Sequence, residues 1–378
     1  MNQQINPRIV IACNTSWNLV NFRSGLIRAL VAAGYEVIAL APQDTYSSQL
    51  ARLGCRFIAM PMDNNGTHPG RDLMLLVRYL RVLRSLQPGA YLSYTVKPNI
   101  YGSMAAHWLN IPVVNNIAGL GTAFIKGGWL NRVVRHLYRA ALSRSARVFF
   151  QNSDDRDLLT SGRLVAAEKT DTLPGSGIDL QKFVPHTLPT EPPVRFLLVA
   201  RMLWDKGVGE FVAAARILKQ RNLNVECCLL GFLDSENPVA VPAGQIDEWE
   251  QEGVVSYLGI SDDVAEQLNK ASCVVLPSYR EGLPRALLEA AAMARPVIAT
   301  DAVGCRDVVN DGMSGYLCRL RDPEDLADKM EQIAALSPAE RRAMGLRGRA
   351  KVEREFDEKI VIQRYLDAVA SVFQKAAE

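Results

Sequence analysis

Histidine is scarce in this chain, with four in 378 residues at positions 68, 107, 136 and 186. The seven cysteines are scattered, mostly inside apolar runs, and form no Cys-x-x-Cys pair. These shortages argue against a zinc site and against a disulfide framework. The thiols read as small buried hydrophobes in a reducing compartment. No apolar run reaches the roughly 18 residues that would span a bilayer. The opening segment, Met1 to Arg8, lacks the apolar core of a signal peptide, so the expected location is cytoplasmic. No Asp-x-Asp pair stands at the end of an expected strand. Ser153-Asp154-Asp155 follows one, but reads as a helix cap with first-turn charge, so neither a cofactor nor an obligatory metal is expected.

At 378 residues the chain suits two domains rather than one core. Its overall charge of +3 is unevenly spread. Residues 1–185 hold 20 Lys and Arg against 10 Asp and Glu, and the remainder 23 against 30. The first half should therefore face something anionic. Short apolar runs alternate with helical patterns from residue 8 to about residue 174. The Pro/Gly-rich stretch after Pro174 interrupts them, and they resume at Val194. Such alternation predicts parallel sheets covered by helices on both faces, hence two Rossmann-like domains, 1–185 and 186–357, with a last helical segment 358–378. Ligands of such folds bind at the carboxyl ends of the strands.

The stretch from Ser272 to Thr300 carries the most chemistry. An apolar strand ends in Pro277-Ser278-Tyr279-Arg280-Glu281-Gly282, a helix follows from Pro284, and Glu289 lies in that helix. Two carboxylates thus flank a helix N-terminus, where phosphates prefer to sit. Alone, the pair could be a loop charge and a solvated helix residue. Arg285, one turn before Glu289, offers an intrahelical salt bridge as the plainer role for both. Ala200-Arg201-Met202-Leu203-Trp204-Asp205-Lys206-Gly207 follows the first strand of the second half. An arginine fork and a lysine point charge there could offset the charge of a leaving diphosphate.

Strand, Ser-Tyr-Arg-Glu-Gly-Leu-Pro and helix together resemble the E-x7-E signature of the retaining GT-B glycosyltransferases of family 4, and the likeness extends over nearly the whole chain. The resemblance implies two Rossmann-like domains facing across a cleft, with the last helix crossing back to the first. It implies that Arg201 and Lys206 hold the diphosphate of a UDP-sugar donor. Glu281 would contact the donor sugar, with Gly282, Leu283 and Pro284 beside it, and Glu289 would take the ribose. Gly231 and Tyr257 would border the base. In the first domain, Asn14, the Asn-Phe-Arg segment ending at Arg23, and Tyr94-Thr-Val-Lys97-Pro-Asn99 resemble the subgroup acting on polyprenyl-diphosphate saccharides, as does Asn116 with Gly119 and Gly121. These are the expected acceptor-side residues, although Arg23 reads equally well as a surface helix arginine. The family's histidine near the cleft is replaced by Asn116. No general base is therefore named, and substrate-assisted front-face transfer is expected.

Residues 71–86 and 126–147 place arginines around Leu, Val and Trp stripes. Core faces of a Rossmann domain explain most of the Leu and Val. The excess arginine suits peripheral association with an anionic membrane surface on the inner face of the cell membrane. Nucleic acid is not expected, since no aromatic platform accompanies the arginines. The expected function is transfer of a hexose or N-acetylhexosamine from a UDP-sugar to a polyprenyl-diphosphate-linked saccharide. A UDP-sugar epimerase of the same fold and a non-catalytic membrane adaptor are the alternatives.

Overall fold

The structure, a computed structural model, describes residues 7–63, 68–120, 129–233, 237 and 239–377, the side chains of 129–130 and 376–377 excepted. It divides into two compact units, residues 1–177 with 358–378, and residues 178–357.

Seven parallel strands form the sheet of the first unit: β1 (Arg8–Ala12), β2 (Glu36–Ala41), β3 (Arg56–Ala59), β4 (Ala90–Tyr94), β5 (Val113–Ile117), β6 (Arg147–Phe150) and β7 (Thr170–Thr172). Their order is β3-β2-β1-β4-β5-β6-β7. Most of these strands are buried over their length, as parallel strands covered on both faces must be. Around the sheet lie α1 (Ser16–Phe22), α2 (Ser24–Ala32), α3 (Ser47–Arg52), α4 (Pro69–Leu86), α5 (Ser103–Trp108), α6 (Trp129–Leu142) and α7 (Ser153–Ser161).

The second unit has six parallel strands: β8 (Val194–Val199), β9 (Val225–Leu230), β10 (Ser256–Tyr257), β11 (Cys273–Leu276), β12 (Val297–Thr300) and β13 (Gly315–Cys318). They run in the order β10-β9-β8-β11-β12-β13. The helices are α8 (Val208–Gln220), α9 (Ala243–Gln251), α10 (Val264–Lys270), α11 (Arg285–Ala292), α12 (Pro323–Ala335) and α13 (Pro338–Glu355). Strand order reverses beside β1 in the first sheet and beside β8 in the second, and such switch points open a crevice at the carboxyl ends.

The last helix, α14 (Glu358–Ala377), belongs to the first unit and packs Val361, Tyr365, Val369 and Val372 into the core around Ile9, Ile11 and Leu26. The first division falls at 177/178, earlier than the expected 185/186. Ile178 already bridges to Asp357, and Phe183 joins the second unit's core.

Between Ser16 and Ala32 the helical pattern is interrupted at Arg23, which leaves the helical region at φ −131°, ψ 5° and separates α1 from α2. β5 starts only after Pro112, which has no N–H for the ladder, and runs on to Ile117, so Asn116 lies within the strand rather than in the loop after it. β13 has four residues and was not foreseen. Elsewhere Ser337 forms the capping box its sequence predicts with Glu340. Before α7 the cap is Asn152, whose Oδ1 accepts from Asp155 N, while Asp154 and Asp155 supply first-turn charge.

Among the described residues no helix is long and apolar enough to cross a membrane, and no group of three or more His, Cys, Asp or Glu could hold a metal ion.

Candidate active site

The second unit brings two loops together at its switch point, one after β8 and one after β11. The first carries Arg201, which is exposed, and a 3-10 turn, Trp204–Lys206. Gly207 then takes φ +75° as the N-cap of α8, and a Cβ there would lie 2.1 Å from the Pro277 carbonyl oxygen. Only glycine permits both that conformation and that approach. Lys206 Nζ lies 2.6 Å from Glu281 Oε1, their side chains 18% and 17% exposed. In the second loop Ser278 Oγ and Tyr279 N both donate to the Asp205 carbonyl, at 3.2 and 2.9 Å.

A third loop, after β12, braces Glu281. Glu281 N donates to the Val303 carbonyl at 3.0 Å, and Gly304, at φ +78°, lies so close that a Cβ there would stand 2.4 Å from the Glu281 carbonyl oxygen. Burial pushes the nearby Cys305 thiol up to about 12, so it is no thiolate nucleophile at neutral pH.

Pro284 is the N-cap of α11 and Arg285 its first residue, one position later than expected. Arg285 Nε donates to Glu289 Oε1 at 2.7 Å, so the intrahelical bridge foreseen as the plainer role is present. Gly282 and Leu283 are half-buried between Glu281 and this helix. Gly231 follows β9, and its carbonyl accepts from the Tyr257 hydroxyl at 2.7 Å. Burial raises the Tyr257 phenol above its ordinary range. Exposed Phe232 and Ile260 stand at the same strand ends, and the sequence reading missed them. Their signal was a large apolar residue just beyond a strand terminus.

At the first unit's switch point a cavity of about 270 Å³ brings together Asn14, Lys97, Asn99 and Gly119, adding Asp63, Thr95 and Tyr138. Thr95 adopts φ +64°, a conformation uncommon outside glycine, which turns the chain sharply after β4. Lys97 Nζ lies 2.9 Å from Asp72 Oδ1, and Tyr101 donates to Asp72 Oδ2 at 3.0 Å. Asn99 is tied into a buried network. Its Oδ1 accepts from Ser93 Oγ (2.7 Å) and from Asn115 Nδ2 (3.0 Å), and its Nδ2 donates to the Asn116 carbonyl (2.8 Å).

Asn116 does not line this cavity. It is fully buried in β5, donating to the Tyr365 hydroxyl at 2.9 Å and accepting from Gln151 at 3.3 Å. Arg23 is no surface arginine either. It is buried, its guanidinium carbon 4.3 Å from the Tyr94 ring centroid and its Nη1 donating to the Phe22 carbonyl. Gly121 lies outside the described residues, as does the 126–128 part of the basic stretch.

Residues 21–175 match the family described as "Glycosyl transferase 4-like domain", and residues 193–335 match "Glycosyl transferases group 1". The chain belongs to these glycosyltransferases. A Campylobacter jejuni relative, N,N'-diacetylbacillosaminyl-diphospho-undecaprenol alpha-1,3-N-acetylgalactosaminyltransferase, is 29% identical over 95% of this chain and 97% of its own. The Escherichia coli UDP-Gal:alpha-D-GlcNAc-diphosphoundecaprenol alpha-1,3-galactosyltransferase is 22% identical over 70% of each chain. Among solved structures, Anabaena Alr3699/HepE in complex with UDP-glucose superposes with a TM-score of 0.77 at 16% identity, over 96% of this chain and 99% of that one. The two parallel-sheet units are thus those of the GT-B glycosyltransferase fold, and the epimerase alternative falls away.

Proposed function

We propose that this glycosyltransferase moves a hexose or N-acetylhexosamine from a UDP-sugar to a polyprenyl-diphosphate-linked saccharide, with retention and without an obligatory metal. The observation that carries the reading is the Lys206–Glu281 contact at the second switch point, with Glu289 eight residues on. Lys206 and Arg201 supply positive charge for the leaving diphosphate, the part a divalent cation would otherwise play. Glu281 accepts from the donor sugar's hydroxyls, Glu289 takes the ribose, and Phe232 and Ile260 flank the base beside Gly231 and Tyr257. The acceptor saccharide enters the cavity of Asn14, Lys97, Asn99 and Gly119. The leaving phosphate takes the acceptor's proton on the face it departs from.

Two features support the finer points. Both relatives carry alpha-1,3 products and diphospho-undecaprenol acceptors in their names. An α linkage made from an α-linked UDP-sugar is retention. On α4, Leu73 and Met74 are 61% and 54% exposed next to Arg71, Arg78 and Arg81, which suits an anionic lipid surface at about 1 kcal/mol per arginine.

The test is UDP release from a panel of UDP-sugars, with and without a short polyprenyl-diphosphate saccharide, for wild type and Glu281→Ala, repeated in EDTA. Acceptor-dependent release from one sugar, abolished by the substitution and unchanged by EDTA, is expected. Loss of activity in EDTA would overturn metal independence, and a trapped glycosyl-enzyme would overturn the front-face route.

A further inference from the structure

Arg23, at the break between α1 and α2, is 5% exposed, and no carboxylate among the described residues pairs with it. Its guanidinium lies over the Tyr94 ring, and Nη1 donates to the Phe22 carbonyl at 3.1 Å. Its Nε is buried without a hydrogen-bond partner. A ring face attracts a cation but leaves it charged. An unpaired buried charge is costly to keep.

That charge stands behind the wall of the first unit's cavity. Tyr94, under the guanidinium, is followed by Thr95, which lines the cavity. Cys13, whose thiol also senses the guanidinium, is followed by Asn14, another lining residue, with Cys13 Sγ 3.7 Å from Asn14 Oδ1. The lining's own charges are answered. Asp63 pairs with Arg71 at 2.8 Å, and Lys97 with Asp72 at 2.9 Å. Burial keeps the Tyr138 phenol neutral. Asp155, whose charge Tyr138 senses, sits in the first turn of α7 and accepts from Asn152 Nδ2 at 3.2 Å. Among the described residues, Arg23 is the cation left over at this cavity.

We propose that Arg23 is a positioning residue that makes the cavity electropositive from behind its wall, drawing in the anionic part of the acceptor, the diphosphate that joins saccharide to lipid. Naming that anion rests on the acceptor reading given above. A charge held in a low-dielectric wall is little screened and acts across several ångströms without touching the ligand. The ligand is thereby selected for its charge as well as its sugar.

The experiment titrates geranyl diphosphate by calorimetry, with UDP saturating so that the donor's own diphosphate site is filled, into wild type, Arg23→Met and Arg23→Lys. Arg23→Met removes the charge and should weaken geranyl diphosphate binding about tenfold, the scale of one charge acting across a side chain's thickness. Arg23→Lys keeps the charge without the planar fork and should stay within about threefold of wild type. UDP affinity should be the same in all three. Arg23→Met within about twofold of wild type, or Arg23→Lys as weak as Arg23→Met, would overturn the proposal, the second because shape and not charge would then matter. A parallel fall in UDP affinity would overturn it too, as general damage to the fold. A wild type that binds no geranyl diphosphate would overturn it and leave the transferase reading to its own test. A wild type that binds geranyl diphosphate in this charge-dependent way but releases UDP from no sugar nucleotide would support the electropositive cavity and sink the transferase reading.

Discussion

Arg285 holds Glu289 one helical turn away at 2.7 Å, with both side chains mostly buried. The carboxylate expected on the ribose is thus already fixed in direction before any donor arrives. Replacing Glu289 by Gln keeps its shape and removes its charge. The expected result is a rise of about tenfold in the UDP-sugar KM with kcat within about threefold, read by steady-state kinetics. An equal fall in kcat would show that the residue acts on the transition state instead.

Gly304 lies so close to the backbone of Glu281 that a Cβ there would stand 2.4 Å from the Glu281 carbonyl oxygen. Gly304→Ala should lower kcat by about tenfold or more and cost roughly 1–2 kcal/mol of stability. Gly312→Ala is the control. Its φ is similarly positive at +71°, but nothing lies within 4 Å of its would-be Cβ. It should lose stability alone and keep full activity.

Lys97 and Asp72 form a largely buried pair beside the first unit's cavity. Lys97→Met leaves Asp72, among the described residues, with the Tyr101 hydroxyl as its side-chain partner and should cost roughly 2 kcal/mol in urea unfolding. Lys97→Met/Asp72→Asn should cost less than the sum of the single changes. Strict additivity would show that the two charges do not sense each other.

Arg195 donates from Nε and Nη2 to Glu226 at 2.7 and 2.8 Å, across adjacent strands β8 and β9. These hydrogen bonds hold the Glu226 carboxyl below its ordinary range, against an opposing effect of burial. A depressed folded-state pKa contributes stability that is present above the unfolded value, about 4.3, and lost as pH falls through the folded one. Melting temperature should therefore fall more steeply below about pH 4 in wild type than in Glu226→Gln. Identical slopes would exclude this pair as the cause.

Leu73→Glu/Met74→Glu should abolish binding to anionic vesicles while leaving UDP binding intact, and wild-type binding should weaken as salt rises. Sedimentation with vesicles of phosphatidylglycerol and phosphatidylcholine reads both. Retained binding by the variant would place the contact elsewhere.

The two alternating sheets were legible because parallel strands buried on both faces write continuous apolar runs, as Val274–Leu276 and Val297–Thr300 do. The loops carrying Arg201, Lys206 and Glu281, and the helix carrying Glu289, were legible because each follows such a run. What stayed hidden depends on distant partners. Asn116 reads as a loop amide until Tyr365, 249 residues on, is seen to accept its hydrogen bond. Arg23 reads as a helix-surface residue until the Tyr94 ring is found beneath it. The Tyr279–Glu210 contact spans 69 residues and has no local signature.

The first unit is written in two separated pieces of chain, closed by α14. During synthesis its core around Ile9, Ile11 and Leu26 must wait for Val361, Tyr365, Val369 and Val372 while residues 178–357 are made. At about 5–20 residues per second that wait is on the order of ten seconds to half a minute. The second unit is contiguous and can finish folding as soon as it emerges. The half translated first is therefore completed last, and its unfinished apolar wall is where a nascent chain would need a chaperone.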